Sequence, residues 1–208
     1  MLYKICDMRI EEEKRRLREI IWNLLEKENV ARFPFPIKGR IPNFEGVEKA
    51  AKLLTSLPEW KSAKVIFSSP DYAQQKVREL ALREGKMLIM ATPKIKKGYL
   101  LIDPKNVKGK EKYASTIKGA FKYGRLLKDL IKPDLIIVGS VAVDKFGYRL
   151  GKGGGYGDKE IKTFIEKFGK IPIATIVHEL QVVEKVPRNE NDTRVDYIIT
   201  QKRIVRTN

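Results

Sequence analysis

The stretch 63-AKVIFSSPDYAQQKVRELALREGKMLIMATP-93 decides the fold class. Ala63 to Phe67 is short and mostly apolar and reads as a strand. Residues from about Tyr72 to Glu84 read as a helix stopped by Gly85, and Met87 to Met90 as a second strand ended by Pro93. A strand, a helix and a strand in that order imply a parallel pair joined by a right-handed crossover. Working outward, Tyr99 to Ile102 reads as a further strand, and Leu135 to Val138 runs unbroken and apolar, as a strand covered on both faces should. A helix at about Lys159 to Phe168 closes at Gly169, followed by a strand Ile173 to Val177 and a last strand Tyr197 to Thr200. Toward the N-terminus, Ile10, Leu17, Ile21, Leu24 and Leu25 recur at three- and four-residue spacing, so residues 10–27 form an amphipathic helix. Lys14 and Arg18 then stand one turn apart on the same side. Residues 31–44, rich in Pro with Gly and aromatics, read as an ordered connector, and Val47 to Leu54 as a short helix. Pro104 to Tyr113 reads as a basic loop, and Ala114 to Arg125 carries no clear pattern. The expected architecture is α/β: a three-layer α/β/α sandwich with a mainly parallel sheet, residues 1–208 forming a single domain. Ligands in such folds sit beyond the carboxyl ends of the strands.

Composition narrows the chemistry. The 208 residues are 42% hydrophobic and 33% charged, the profile of a globular protein. No apolar run approaches the roughly 20 residues a membrane helix needs, and the N-terminus lacks a secretory signal, so the expectation is a cytoplasmic protein with no membrane partner. One cysteine, Cys6, and one histidine, His178, exclude an internal disulfide and a zinc site of the Cys/His kind, so any metal must be a hard one. The 43 Lys+Arg against 26 Asp+Glu leave +17, which attracts polyanions such as nucleotides, polyglutamylated cofactors or RNA. The same enrichment builds the surface ion-pair networks of heat-adapted proteins, and composition leaves both explanations open.

The segment RLGKGGGYGD (149–158) crowds Gly151, Gly153, Gly154 and Gly155 just ahead of a helix. Removing side chains there lets phosphate oxygens reach backbone N–H groups, and the helix N-terminus adds partial positive charge. Lys152 supplies a full charge beside this cradle. No Gly-Lys-Ser/Thr follows, so it is not a Walker loop, and the acidic residue of a Rossmann fingerprint is missing. Asp158 begins the following helix, where it would suit either an N-cap role or a magnesium ion bridging phosphates. Asp192 offers a second oxygen ligand if its loop folds back to the same sheet edge, and otherwise an Asx turn. By spacing alone Lys14 with Arg18 is a solvated helix face. His178, after a strand end, is equally a functional or a structural histidine.

Four motifs in order resemble the 5-formyltetrahydrofolate cyclo-ligase family, also called methenyltetrahydrofolate synthetase, in a divergent, archaeal-type branch. They are KRRLR (14–18), REGKMLIMATPK (83–94), VAVDKFGYRLGKGGGYGD (141–158) and VPRNENDTRVDYIIT (186–200). The resemblance implies that Mg-ATP phosphorylates the formyl oxygen of 5-formyltetrahydrofolate, the neighbouring nitrogen attacks, and phosphate loss yields 5,10-methenyltetrahydrofolate. Carried over by position, Lys14, Arg149 and Lys152 would be catalytic. ATP would meet Lys14, Arg18, Gly151, Lys152, Gly153, Gly154, Gly155 and Tyr156; Asp71 and Tyr156 would meet the reduced folate; Asp158 and Asp192 would hold Mg2+. Two departures stand out. Where the family reads Tyr-Tyr-Asp-Arg, this chain has Tyr156, Gly157, Asp158 and Lys159, and a family glutamate ahead of the helix at 72–84 has Asp71 as its nearest counterpart. These changes fall on the folate side, and leave open a nucleotide- or RNA-binding protein without folate activity, or an enzyme acting on another formyl or carboxyl substrate. The segments ARFPFPIKGRIPNF and STIKGAFKYGR also resemble a branch whose eukaryotic relatives carry an RNA-recognition module. Lys118, Lys122, Tyr123 and Arg125 mix basic and aromatic groups, as nucleic-acid surfaces do.

Overall fold

The structure is a computed structural model that describes residues 2–189 and 192–207, with side chains from Met8 onward. The Cys6 side chain, and Glu190 and Asn191 of the fourth motif, lie outside the described set. In chain order the elements begin with α1 (Leu2–Lys27), β1 (Ala31–Arg32), β2 (Asn43–Phe44), α2 (Val47–Leu54) and α3 (Pro58–Ser62). Next come β3 (Val65–Ser68), α4 (Gln75–Arg83), β4 (Met87–Ala91), β5 (Tyr99–Ile102), α5 (Glu111–Ala114), α6 (Ile117–Tyr123) and β6 (Arg125–Leu126). The chain continues with β7 (Leu135–Val138), β8 (Ala142–Asp144), β9 (Arg149–Leu150), α7 (Tyr156–Phe168), β10 (Ile173–Ile176), β11 (Val182–Val183), β12 (Tyr197–Ile199) and β13 (Ile204–Arg206).

The main sheet has the order β13-β12-β10-β7-β3-β4-β5-β6. Its five central strands are parallel, and β13, β5 and β6 add antiparallel edges. Strand periodicity explains why both faces are covered. Ile66, Leu88, Leu135, Ile137, Ala174 and Ile199 point to a core under α2–α6, while Phe67, Ile89, Ile136, Val138 and Ile198 point to a core with Ile161 and Phe164 of α7. This is the expected three-layer sandwich. A third cluster joins Ile21, Trp22 and Leu25 of α1 to Ala142 and Leu150 of the β8–β9 hairpin. That docking carries Lys14 and Arg18 to the glycine segment.

Several expectations need correction. The helix at 72–84 is a 3-10 turn over Tyr72–Gln74 followed by α4, because Asp71 enters in extended conformation. Tyr197–Ile199 is not the last strand: Thr200 accepts bonds from Lys202 N and Arg203 N, and β13 returns antiparallel beside β12. Residues 104–125 hold α5 and α6, and 31–44 holds the β1–β2 pair. The helix placed at 159–168 starts at Tyr156, so Asp158 sits within its first turn and is not its N-cap; Gly155, at φ 67, takes that position.

Candidate active site

Following β3, the chain goes to β4 on one side and to β7, β10 and β12 on the other, so the direction of winding reverses between β3 and β7. A doubly wound sheet opens a crevice at that point. A cavity of about 820 Å³ lies there, walled by Ser69 after β3, Pro93 and Lys94 after β4, and Gly139 after β7. Its apolar sides come from Phe33, Pro34, Tyr72 and Ile117. The volume is in the range of small-molecule sites.

The glycine segment forms one wall through Gly151, Lys152, Gly154 and Gly155, and α7 continues it with Tyr156, Gly157, Asp158 and Glu160. The first N–H groups of α7 have no intrahelical acceptor, and the helix dipole places partial positive charge there. Gly153, at φ 104, turns away from the cavity toward Arg18: a Cβ at 153 would lie 3.6 Å from the Arg18 Cζ. Arg18 Nε donates to the Gly151 carbonyl at 2.8 Å, tethering the loop to α1.

Three acids meet three cations around this loop. Lys14 Nζ stands 2.9 Å and 2.7 Å from the two Asp192 oxygens, with both side chains largely buried. Arg149 Nη2 is 2.9 Å from Asp158 Oδ1, and Lys152 Nζ is 2.6 Å from Asp71 Oδ1. Asp158 Oδ1 also accepts from Thr193 Oγ1 at 2.8 Å and Thr193 N at 3.2 Å. Thr193 thus ties the loop that carries Asp192 to the start of α7. Lys14, Arg18, Gly153 and Asp192 are not among the walls of the cavity, whereas Asp71, Arg149, Lys152, Tyr156 and Asp158 are. The sequence-read residues thus fall into two adjoining groups that share the glycine segment.

Arg149 is the buried centre of the site. Its Nη1 donates to the Gly139 carbonyl at 3.2 Å. Its Nε has no hydrogen-bond partner, and Nη2 contacts Asp158 without hydrogen-bond alignment. Buried donors left unpaired are rare and call for an oxygen-rich ligand or water. Among the described residues no group of three or more His, Cys, Asp or Glu is placed to hold a metal ion. Two hard carboxylates nevertheless suit magnesium, which draws its remaining ligands from phosphates and water.

Two buried residues escaped the sequence reading. Glu160 is 3% exposed, and its Oε2 accepts from Ser69 Oγ at 2.6 Å. Burial pushes its carboxyl up to about 7, with the Ser69 bond pulling the other way. A signal was present: Glu160 lies one turn before Phe164 on the apolar stripe of α7. Arg78 donates to the carbonyls of Ser69, Asp71 and Ser115 at 2.6, 3.0 and 2.8 Å, fixing the loop that carries Asp71. Desolvation lowers its pKa to about 10. His178 lies outside the cavity walls and is a cap: its Nδ1 accepts from Leu180 N at 3.2 Å, and its N–H donates to Gln181 Oε1 at 2.7 Å.

Residues 10–201 match the model of the 5-formyltetrahydrofolate cyclo-ligase family. The chain belongs to that family. It is 36% identical over 206 residues to the methenyltetrahydrofolate synthase domain-containing protein of Bos taurus, covering 93% of this chain and 54% of the relative. It therefore spans about half the length of the curated relatives it matches. The NMR structure of Aquifex aeolicus 5,10-methenyltetrahydrofolate synthetase superposes with TM-score 0.58 at 26% identity, covering 95% of this chain and 92% of that one. The Mycoplasma pneumoniae 5,10-methenyltetrahydrofolate synthetase shares the fold, with TM-score 0.54, 16% identity and coverage of 90% and 98%. Within this cyclo-ligase family member, Gly157 has a local cause. A Cβ there would stand 2.5 Å from Arg149 Nη2, so the guanidinium fills the space that a second tyrosine would need at its root. Among the described residues no helix is long and apolar enough to cross a membrane.

Proposed function

We propose that this chain is a ligase-type enzyme that uses Mg-ATP to convert 5-formyltetrahydrofolate to 5,10-methenyltetrahydrofolate. The observation that carries the reading is the set of ion pairs around the glycine segment, with Arg149, a residue of the cavity wall, keeping two buried donors without a hydrogen bond. Each pair stores a cation and a carboxylate that a magnesium-bound triphosphate can engage separately. Lys14, Lys152 and Arg149 would turn to phosphate oxygens, and Asp192 and Asp158 would hold the metal. Magnesium, when bound, would supply neutralisation of phosphate charge. Phosphoryl transfer depends mostly on positioning and charge stabilisation, which these cations and the α7 N–H groups can provide.

In this reading the γ-phosphate is transferred to the formyl oxygen, leaving ADP and an iminium phosphate. The neighbouring folate nitrogen attacks the iminium carbon, the nitrogen gives up its proton, and the carbon–oxygen bond breaks with release of phosphate. Tyr156, Tyr72, Phe33 and Ile117 would enclose the substrate ring and exclude water. The test is purified chain with Mg-ATP and 5-formyltetrahydrofolate, monitored by the absorbance of the methenyl product. Product formation that vanishes in Asp158→Ala supports the assignment, and absence of product with the wild-type chain rejects it.

A further inference from the structure

The positive charge is not spread evenly. Residues 94–132 contain twelve Lys or Arg against three Asp or Glu, a local +9 out of the chain's +17. The ion pairs within 4.0 Å among the described residues join other parts of the chain, and none involves this segment. An ion-pair network for heat tolerance would place its acids beside its bases. Here more than half of the net charge is gathered on about a fifth of the chain, with no ion pair closer than 4.0 Å among the described residues.

The segment also has a shape. A groove of about 650 Å³ runs along α5 and α6, walled by Lys110, Lys112, Lys122, Tyr113 and Tyr123. The two tyrosine rings meet edge to face at 6.2 Å. Lys122 lies 6.0 Å from the Tyr113 ring centroid and 5.5 Å from that of Tyr123, and Lys110 lies 5.8 Å from Tyr123. Tyr113 is 46% exposed, so much of it remains open to a stacking partner. Lys110, Lys112 and Lys122 do not line the larger cavity, whereas Gln75, Tyr113 and Thr116 line both and join the two.

We propose that this groove binds single-stranded nucleic acid, such as RNA, with the lysines tracking phosphates and Tyr113 stacking an unpaired base. Spaced cations alone would serve any polyanion. Exposed aromatic rings set among them add a surface for the π-face of a base, which a paired helix keeps inside its stack. The groove adjoins the large cavity through Tyr113, but this binding needs only the lysines and ring of the groove and does not require that the chain turn over folate.

The experiment is fluorescence anisotropy of the full chain with a labelled dodecameric oligouridylate, titrated from low to physiological salt. Wild type is expected to bind with a falling log–log salt dependence. The triple variant Lys110→Glu/Lys112→Glu/Lys122→Glu should bind at least about tenfold more weakly, with the salt slope reduced by about 2, as three lost phosphate contacts on a single strand require. Lys27→Glu/Lys49→Glu/Lys52→Glu, with the same change in net charge elsewhere on the surface, should shift binding by less than about threefold. Tyr113→Ala should weaken binding at least about fivefold. Thermal unfolding confirms that each variant is folded. Equal losses in the two triple variants would reduce the effect to bulk charge and overturn the proposal. So would undiminished binding in the groove variant, or equally tight binding of a duplex of the same phosphate number.

Discussion

Replacing Gly157 by alanine tests the packing around Arg149 at one carbon atom. The new Cβ would lie 2.5 Å from Nη2, 2.9 Å from Cζ and 3.0 Å from Nη1 of Arg149. No buried guanidinium tolerates such approaches, so Arg149 must move and lose its 3.2 Å bond to the Gly139 carbonyl and its 2.9 Å pairing with Asp158. Overpacking of this kind costs about 1–3 kcal/mol. Against it, an alanine in place of a helical glycine gains roughly 0.5–1 kcal/mol from the unfolded chain. The net expectation is a loss of up to about 2.5 kcal/mol in the wild-type background. In the Arg149→Met background the clash is gone and only the helical gain remains, so Gly157→Ala should then be neutral or stabilising. Urea denaturation of the four proteins measures the coupling, expected at about 1–3 kcal/mol. An equal Gly157→Ala penalty in both backgrounds would refute the account of why a glycine stands there.

Other outcomes follow from the same geometry. Glu160, raised from 4.5 to about 7 by burial, keeps its proton in the folded chain while the unfolded chain ionises, so its effect on stability is absent below pH 4.5 and grows as pH rises toward 7. Above that the loss is complete at about 3 kcal/mol, taking 1.36 kcal/mol per unit of pKa. Glu160→Gln should therefore flatten the fall in stability across that window, as read by denaturation at several pH values. Arg18→Met removes the 2.8 Å bond to the Gly151 carbonyl, and the KM for ATP should rise by about tenfold, since a charge-assisted bond is worth about 1.5–3 kcal/mol. Lys14→Met leaves Asp192 without its main cation and should destabilise the metal-free chain by about 3 kcal/mol or more. Added magnesium should restore part of that loss in a thermal melt, because a metal can take the place of the ammonium.

Much of the layer structure was legible because it rests on local patterns. The unbroken apolar run Leu135–Val138 matches β7 in both bounds, and Val47–Leu54 matches α2, since each depends on its own periodicity. The glycine segment was legible for a similar reason: absent side chains are visible in sequence. What local pattern could not give was pairing across the chain. Lys14 and Asp192 stand 178 residues apart, and nothing in either neighbourhood announces that helix α1 and the Asp192 loop meet. The helices α5 and α6 were hidden because Ala114 and Ala120, their buried anchors, are small and sit among lysines. Gly157 read only as a departure from the family's second tyrosine because its reason, the guanidinium of Arg149, comes from β9. Glu160 carries its signal only through its place on the apolar stripe of α7, beside Ile161 and one turn before Phe164, which marks it as buried.

The most direct measurement is a crystal structure of the chain grown with magnesium and a non-hydrolysable ATP analogue. The triphosphate is expected against the N–H groups of residues 153–158, with Lys14 and Asp192 drawn apart from their 2.7 Å contact and Asp158 and Asp192 sharing the metal. A nucleotide bound elsewhere, or a glycine segment left empty while Lys14 and Asp192 remain joined, would contradict this expectation.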